Sequence, residues 1–350
     1  MDRRKLDQEL VRTSADAYIS LSDKSRLWFA EVDTTAGLLI VEKTKAYLFV
    51  DSRYIEYAQK NAKNVSVKLW NAKSLKEFFI KKNYKKVLLE KDYLKISEYD
   101  WLRHLLNHSE GVNVASIFIE GQQLRAVKTK EEIKLVEKAI DISFKAFEKA
   151  KAALKVGVSE KEIAALFLYE MRLLGADKES FDPIVAFGPN SAEPHHHPTN
   201  KKLKDGDIVK FDFGAQYKGF AADITRTFFY TVDKKPNKKL LEIYDIVAES
   251  ARLGIEAVKK GVTTAEIDKI CRDYIESKGY GKYFAHSTGH GLGIDVHELP
   301  NVASSSKAVL EVGNIITVEP GIYIEDLGGV RIENDILVTE KGYKILSQEK

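Results

Sequence analysis

The chain has 350 residues, 44% apolar and 31% charged, with 7 prolines and the single cysteine Cys271, enough for a sizeable core and more comfortably read as two domains than as one. Its 55 basic and 52 acidic side chains leave a net charge of only +3, which gives no basis for a nucleic-acid partner, and one cysteine excludes an internal disulfide. The basic amino terminus leads into no apolar signal segment and no run of about 18 apolar residues follows, so a cytoplasmic protein with no membrane contact is expected.

Over the first 120 residues short apolar runs alternate with helical spacing. Gly37 to Val41 and Ala46 to Val50 are expected to pair as strands across the polar turn Glu42 to Lys45. Strand patterns at Val65 to Trp70, Val87 to Leu89 and Val112 to Ile119, with helical spacing at Leu75 to Lys82 and Tyr93 to Asn107, complete a small α/β domain. No metal-ligating or nucleophilic constellation stands out in it. His104 and His108 stand one helical turn apart, but a histidine pair at this spacing does not by itself make a metal site, and ordinary exposed or packing roles are expected.

A second domain follows, dividing the chain as 1–122 and 123–350. Thr129 and Glu132 form a capping box at the start of a long helix whose Ile133, Val136, Ile140, Phe144 and Phe147 recur with helical spacing. After a break at Gly157, Ser159 and Glu162 open a second helix that ends at Gly175. The same grammar returns 104 residues on, where Gly261-Val262-Thr263, Glu266 and Gly279 repeat Gly157-Val158-Ser159, Glu162 and Gly175. A long amphipathic helix precedes each copy, the second from about Leu240 to Lys259, and Cys271 takes an apolar position in the helix after it. The pattern predicts a duplicated helix-helix-hairpin unit whose hairpins meet at a pseudo-two-fold axis.

Each copy leads into an apolar strand that ends in a carboxylate and a glycine, with a second carboxylate on the returning segment. The first strand runs from Gly206 to Ala215 and carries Asp212; Asp223 returns within Ala222-Asp223-Ile224-Thr225-Arg226-Thr227. The second runs from Gly313 to Ile322 and carries Glu319; Glu333 returns within Gly329-Val330-Arg331-Ile332-Glu333-Asn334-Asp335. Antiparallel return brings each pair of acids together. Four clustered carboxylates repel one another unless protons or metal compensate, and the segment His286 to Gly293 offers a neutral donor. Four acids and one histidine suit two cations sharing a hydrolytic centre and not a thiolate-rich structural zinc site. Gly289-His290-Gly291-Leu292-Gly293 matches neither the dinucleotide fingerprint nor a Walker loop, which argues against an NAD or ATP site.

These segments resemble the M24 metallopeptidases of the Xaa-Pro aminopeptidase and dipeptidase branch, the pita-bread family. The resemblance extends from Asp51-Ser52-Arg53-Tyr54 to Glu333-Asn334-Asp335 and is most specific at Phe211-Asp212-Phe213-Gly214, Ala222 to Thr227, Gly289 to Gly293 and Val318-Glu319-Pro320-Gly321. It implies an α/β (α+β) chain in which a duplicated pita-bread catalytic domain follows a smaller creatinase-like α/β domain. It implies Asp212 as ligand of one cation, His290 and Glu319 as ligands of the other, and Asp223 and Glu333 as bridging carboxylates. The two divalent ions expected are manganese or cobalt, with zinc or iron as alternatives. By the same resemblance Glu319 doubles as the acid-base group, His297 meets charge on the tetrahedral oxygen, His195 contacts substrate, and His286 borders the proline-side pocket. Arg331 is placed near the metals, where it orients a bridging acid or meets a substrate carboxylate.

The chain departs from the family pattern at two places. His196-His197-Pro198-Thr199 follows His195 where the family commonly has a glycine, and His196 and His197 are expected to face solvent or to pack on the loop. Asn334 stands where an aspartate often follows the bridging glutamate, an exchange expected to alter metal affinity. The activity implied is removal of the first residue from peptides with proline second, an Xaa-Pro aminopeptidase, with an Xaa-Pro dipeptidase as the alternative. A nonenzymatic peptide-binding protein on the same scaffold is disfavoured because all five ligands are retained. The partners implied are short Xaa-Pro peptides and a second copy of the chain in a homodimer.

Overall fold

Short buried runs of branched and aromatic residues make the inner strands of the sheet of the first unit, Met1–Arg125, in a computed structural model that describes residues 2–107 and 111–348. Its elements are α1 (Arg4–Thr13), β1 (Ala17–Ser20), α2 (Asp23–Ala30), β2 (Leu38–Glu42), β3 (Ala46–Val50), α3 (Ile55–Asn61), β4 (Ser66–Leu69), α4 (Ala72–Lys82), β5 (Lys86–Glu90), α5 (Ile96–Leu106), β6 (Ala115–Ile119) and α6 (Gly121–Arg125). The strands lie in the order β4-β3-β2-β1-β5-β6. The expected β2/β3 hairpin is present, with Val41 opposite Ala46. The central strand β1 was not expected: all four of its residues are buried, so no alternation marks it. A buried carboxylate, Glu90, accepts hydrogen bonds from the hydroxyls of Tyr18 and Ser25 at 2.9 and 2.7 Å and from Ser20. His104 is exposed on α5, and His108 lies outside the described residues.

The second unit, Ala126–Lys350, begins with α7 (Lys130–Ala152) and α8 (Glu160–Leu173). Both open with the expected capping boxes, Thr129 with Glu132 and Ser159 with Glu162. Strands β7 (Lys178–Glu179), β8 (Ile184–Phe187), β9 (Ile208–Phe213), β10 (Ala215–Tyr217), β11 (Phe220–Ala221) and β12 (Ile224–Phe229) follow. The second half repeats the plan with α9 (Lys238–Glu256) and α10 (Thr264–Ser277), the latter opened by the box of Thr263 and Glu266. Gly175 and Gly279 close α8 and α10 at φ +95° and +84°, a conformation that glycine adopts without a Cβ penalty. The remaining strands are β13 (Gly289–Gly291), β14 (Glu298–Val302), β15 (Ile315–Val318), β16 (Gly321–Ile324), β17 (Gly328–Arg331), β18 (Asn334–Thr339) and β19 (Gly342–Ile345).

Antiparallel pairing places β9 between β8 and β12, with Asp212 opposite Ile184 on one side and Thr225 on the other. In the second half β15 pairs with β18, and Val318 stands opposite Asn334. The alternation of β9 is physical: Phe211 and Phe213 pack on Phe147 of α7, ring centroids 5.4 and 4.6 Å away. Phe167 of α8 lies 5.6 Å from each of them. With both phenylalanines turned into the helix layer, Asp212 between them points from the opposite face of the strand. The helices α9 and α10 cover the second half through a core that includes Ile243, Val247, Ile267, Cys271 and Ile275, all fully buried.

Candidate metal centre

The two hairpins deliver their acids at equivalent strand ends. Asp212 is the penultimate residue of β9, Asp223 immediately precedes β12, Glu319 immediately follows β15 and Glu333 immediately precedes β18. His290, at the middle of β13, is carried beside β15 by the pairing of Gly291 with Ile316. Ligand atoms of Asp212, Asp223 and Glu333 lie within 4.8 Å of one another, as do those of His290, Glu319 and Glu333, and those of Asp223, His290 and His297. Thus the structure brings together all five expected ligands. His297 joins them, its ring centroid 4.3 Å from that of His290.

The electrostatics of this cluster call for positive charge. Burial, reinforced by the neighbouring acids, raises Asp212 above its ordinary value, pushes Asp223 to about 7 and lifts Glu333 well above the carboxylate range. Glu319 goes the other way: burial opposes its ionisation, but the hydrogen bond and charge of His290 hold it down at about 2. His290 is raised well above an ordinary histidine because Asp223 and Glu319, with oxygens 3.4 and 3.3 Å from Nε2, outweigh its burial. Asp212 Oδ1 and Glu333 Oε1 are buried with no hydrogen-bond partner.

These are the marks of a donor set that fits divalent cations. An unpaired buried carboxylate oxygen is costly unless it coordinates something. His290 Nδ1 faces the Gly291 carbonyl at 3.0 Å, so a proton on Nδ1 leaves the Nε2 lone pair aimed at Asp223 and Glu319. Oxygen donors with one imidazole form the mixed set that suits a pair of hydrolytic metals.

The ligands open into a cleft of about 480 Å³ lined also by Phe181, His195, His197, His286 and Asn301. His195 and His197 are exposed at it; His286 reaches the Tyr323 hydroxyl through Nε2 at 2.8 Å. Arg331 is buried and committed inside the protein. Its Nη2 pairs with Asp212 Oδ2, its Nη1 donates to the Pro194 carbonyl and to Tyr323 at 3.1 and 3.0 Å, and its Nε donates to Thr225 Oγ1 at 2.8 Å. The acid that Arg331 pairs with is Asp212, expected as a ligand of one cation, and not one of the two acids expected to bridge.

His196 and Asn334, where the chain departs from the family pattern, both have definite partners. Of the two places expected for His196, solvent or packing on the loop, it takes the second: it is 4% exposed, held between Glu193 of its own loop and Glu160 of α8. The helix next to it supplies a carboxylate that needs that ring. Asn334 does not back the metal ligands; its amide oxygen accepts from Arg226 and Ser347, each at 3.1 Å. The neighbouring Asp335 turns inward instead and accepts from the Asp223 amide at 3.3 Å, as the alternation of β18 requires.

Sequence reasoning missed Thr225, Tyr323, Lys210, Glu160 and Asp268 as supports of the site. Asp268, fully buried in α10, accepts from the amide and hydroxyl of Thr288, and Arg272 donates to the His286 carbonyl at 2.9 Å, so one helix face fixes the His286 segment. The one available signal was an acid four residues before an arginine within an amphipathic helix, which normally marks a solvated pair.

The description Metallopeptidase family M24 matches residues 134–340, and Creatinase/Prolidase N-terminal domain matches residues 3–127. The chain is 38% identical over 348 residues to the Xaa-Pro dipeptidase of Pyrococcus furiosus, covering 99% of this chain and 95% of that protein. Among solved structures, the Xaa-Pro dipeptidase from Bacillus anthracis aligns with a TM-score of 0.90 at 39% identity, covering 99% of this chain and 96% of the other. The X-Pro aminopeptidase from Thermotoga maritima aligns with a TM-score of 0.89 at 32% identity, covering 99% and 98%.

Proposed function

The chain belongs to metallopeptidase family M24, with a creatinase-like first domain and a pita-bread second domain, and from that premise we propose that it is an Xaa-Pro dipeptidase. The coarser statement, a metal-dependent hydrolase acting on Xaa-Pro bonds, is carried by one observation: the donor atoms of Asp212, Asp223, His290, Glu319 and Glu333 converge in a cleft. The preference for dipeptides rests on similarity over nearly the full length of both chains to proteins named Xaa-Pro dipeptidase. It reverses the order of the two activities expected from sequence, in which the aminopeptidase came first. That reading stays as the second one, favoured by the Thermotoga maritima structure.

In the proposed site Asp212 would hold one cation and His290 and Glu319 the other, with Asp223 and Glu333 within reach of both. Manganese or cobalt is the proposed pair, with zinc or iron as alternatives. When bound, two such ions polarise the scissile carbonyl and make water a competent nucleophile near neutral pH. The side chains do the rest. Glu319 takes the proton given up by the attacking water and returns it to the proline nitrogen as the carbon–nitrogen bond breaks. His297, exposed at the cleft beside His290, donates to the oxygen that gains negative charge. His195 contacts the substrate, and His286, anchored on Tyr323, borders the proline-side pocket.

Among the described residues no helix is long and apolar enough to cross a membrane. The test uses the purified chain, stripped with a chelator and reloaded with manganese or cobalt, on one Xaa-Pro dipeptide and on the tripeptide that extends it. The dipeptide is expected to be cleaved with a kcat/KM at least about tenfold above the tripeptide, roughly 1.4 kcal/mol of discrimination. Equal or better cleavage of the tripeptide would move the assignment to the aminopeptidase, and no cleavage of either by the metal-loaded protein would remove both.

A further inference from the structure

The three consecutive histidines separate in the structure. His195 and His197 are exposed at the cleft, whereas the ring of His196 lies between two carboxylates. Its Nε2 is 2.9 Å from Glu160 Oε2 and its Nδ1 is 2.6 Å from Glu193 Oε2. A neutral imidazole carries one N–H, so donating to both acids at once requires the imidazolium. Glu160 is fully buried in the first turn of α8, where the helix terminus favours negative charge. It also accepts from the Phe187 amide at 2.8 Å, Asn190 Nδ2 at 2.9 Å, and the Thr199 amide and hydroxyl at 2.8 and 2.6 Å.

The residues just before His195 are pinned by two buried donors, Lys210 and Arg331. Lys210, fully buried, places Nζ 2.5 Å from the Glu193 carbonyl and 3.5 Å from that of Pro194, and Arg331 donates to the Pro194 carbonyl at 3.1 Å. Immediately after His195 comes His196. The backbone of His195 is therefore fixed on one side by the donors Lys210 and Arg331 and on the other by the ring bridging Glu160 and Glu193.

We propose that His196 is a positioning residue, whose bridge between Glu160 and Glu193 holds the backbone from which His195 enters the cleft. The proposal rests on the reading of His195 as a substrate-contacting group. It gives the bridge a charge requirement. Glu160 faces His196 from α8 and Glu193 from its own loop; Asn190 Nδ2 is 3.4 Å from Nε2, and Lys201 Nζ stands behind it, 3.4 Å from Asn190 Oδ1. His195 and His197 flank it in sequence. Burial opposes the charged ring, but hydrogen bonds to Glu160 and then Glu193 outweigh it, and the proton is held more tightly than in an ordinary histidine. The bridge is complete below the ordinary histidine range and is lost as pH rises through the raised folded value.

Steady-state kinetics on the metal-loaded full chain with an Xaa-Pro dipeptide test this in wild type, H195A, H196Q, the H195A/H196Q double variant and E193Q. H196Q is expected to lower kcat/KM by about 10²-fold with bound metal unchanged, the cost of misplacing a contact group. On the H195A background the same change is expected to cost less than about twofold, because a residue acting through His195 has nothing left to position. The wild-type profile of kcat/KM is expected to decline on the alkaline side; E193Q, a change at an exposed position, moves that decline to lower pH, and H196Q abolishes it. Equal losses with and without His195, or a decline that E193Q leaves in place, would overturn the proposal. E193Q alone decides the matter should H196Q fail to fold. A wild-type chain inactive on every Xaa-Pro peptide, or indifferent to H195A, would instead overturn the reading of the site on which the proposal stands.

Discussion

Thr225 shows how far the centre depends on side chains that no ligand pattern contains. Its hydroxyl donates to Glu333 Oε2 at 2.7 Å and accepts from Arg331 Nε at 2.8 Å, so one buried oxygen orients a carboxylate of the cluster and the guanidinium that pairs with Asp212. T225V keeps the shape and removes both bonds. Metal affinity is expected to fall by about 10–100-fold, as for loss of other groups that orient ligands. Stability should fall by about 1–3 kcal/mol, the cost of leaving a buried polar group unpaired. Chelator competition and urea unfolding measure the two effects, and a folded T225V with wild-type metal affinity would remove Thr225 from the orienting chain. The four acids could be read in the sequence because each occupies a repeated place at a strand end, and His290 because it stands in the glycine-rich segment Gly289 to Gly293. Thr225 could not: its partner Glu333 is 108 residues away, and a threonine in a strand is ordinary. The bond of His196 to Glu160 was hidden for the same reason, since Glu160 is 36 residues earlier and looks in sequence like an acid of a helix's first turn.

At the scale of elements, the helices were the most legible part because their signals are local. Each capping box joins residues three apart, and the boxes at Thr129, Ser159 and Thr263 all formed as the sequence indicates. The duplicated plan was visible for the same reason, in the matched helix starts and glycine stops. Strands buried on both faces were harder: β1 is short and wholly buried, and its place between β2 and β5 comes from pairing that its own residues do not announce. Strand β9 sits between these cases, since the alternation Phe211-Asp212-Phe213 was readable but its partner α7 was not. The stacked pair Phe147 and Phe213, with planes 5° apart, joins that helix to the strand carrying Asp212. F147A is expected to destabilise the protein by about 3–5 kcal/mol, the usual range for a buried aromatic lost from a core. It should also loosen Asp212, so metal affinity falls along with the denaturation midpoint. A large stability loss with unchanged metal affinity would show that β9 keeps its place without α7.

For the whole molecule the metal centre couples charge to stability, and the sign follows from the shifts of its groups. Asp223, moved from 3.8 to about 7, and Glu333, raised well above its ordinary value, bind protons more tightly folded than unfolded. Each therefore destabilises the metal-free fold increasingly as pH rises from the unfolded value towards the folded one. His290 acts in the same direction: its stabilisation is complete below the ordinary histidine value and is lost as pH rises through its raised one. Glu319, held at about 2, loses its contribution only as pH falls through the acid range, away from this window. Divalent cations reverse the balance because they take the carboxylates deprotonated and the imidazole neutral, so their binding strengthens with pH. At a metal concentration about 100 times its dissociation constant, one site adds about 2.7 kcal/mol. That is a rise of about 5–10 °C in the melting temperature of a domain this size. Melting curves with chelator and with excess manganese, at about pH 5.5 and about pH 8, are expected to show a metal-free protein less stable at the higher pH and a larger gain from metal there. Equal gains at both pH values, or a metal-free melting temperature that rises between them, would mean that the clustered acids do not carry the strain that the bound cations are proposed to relieve.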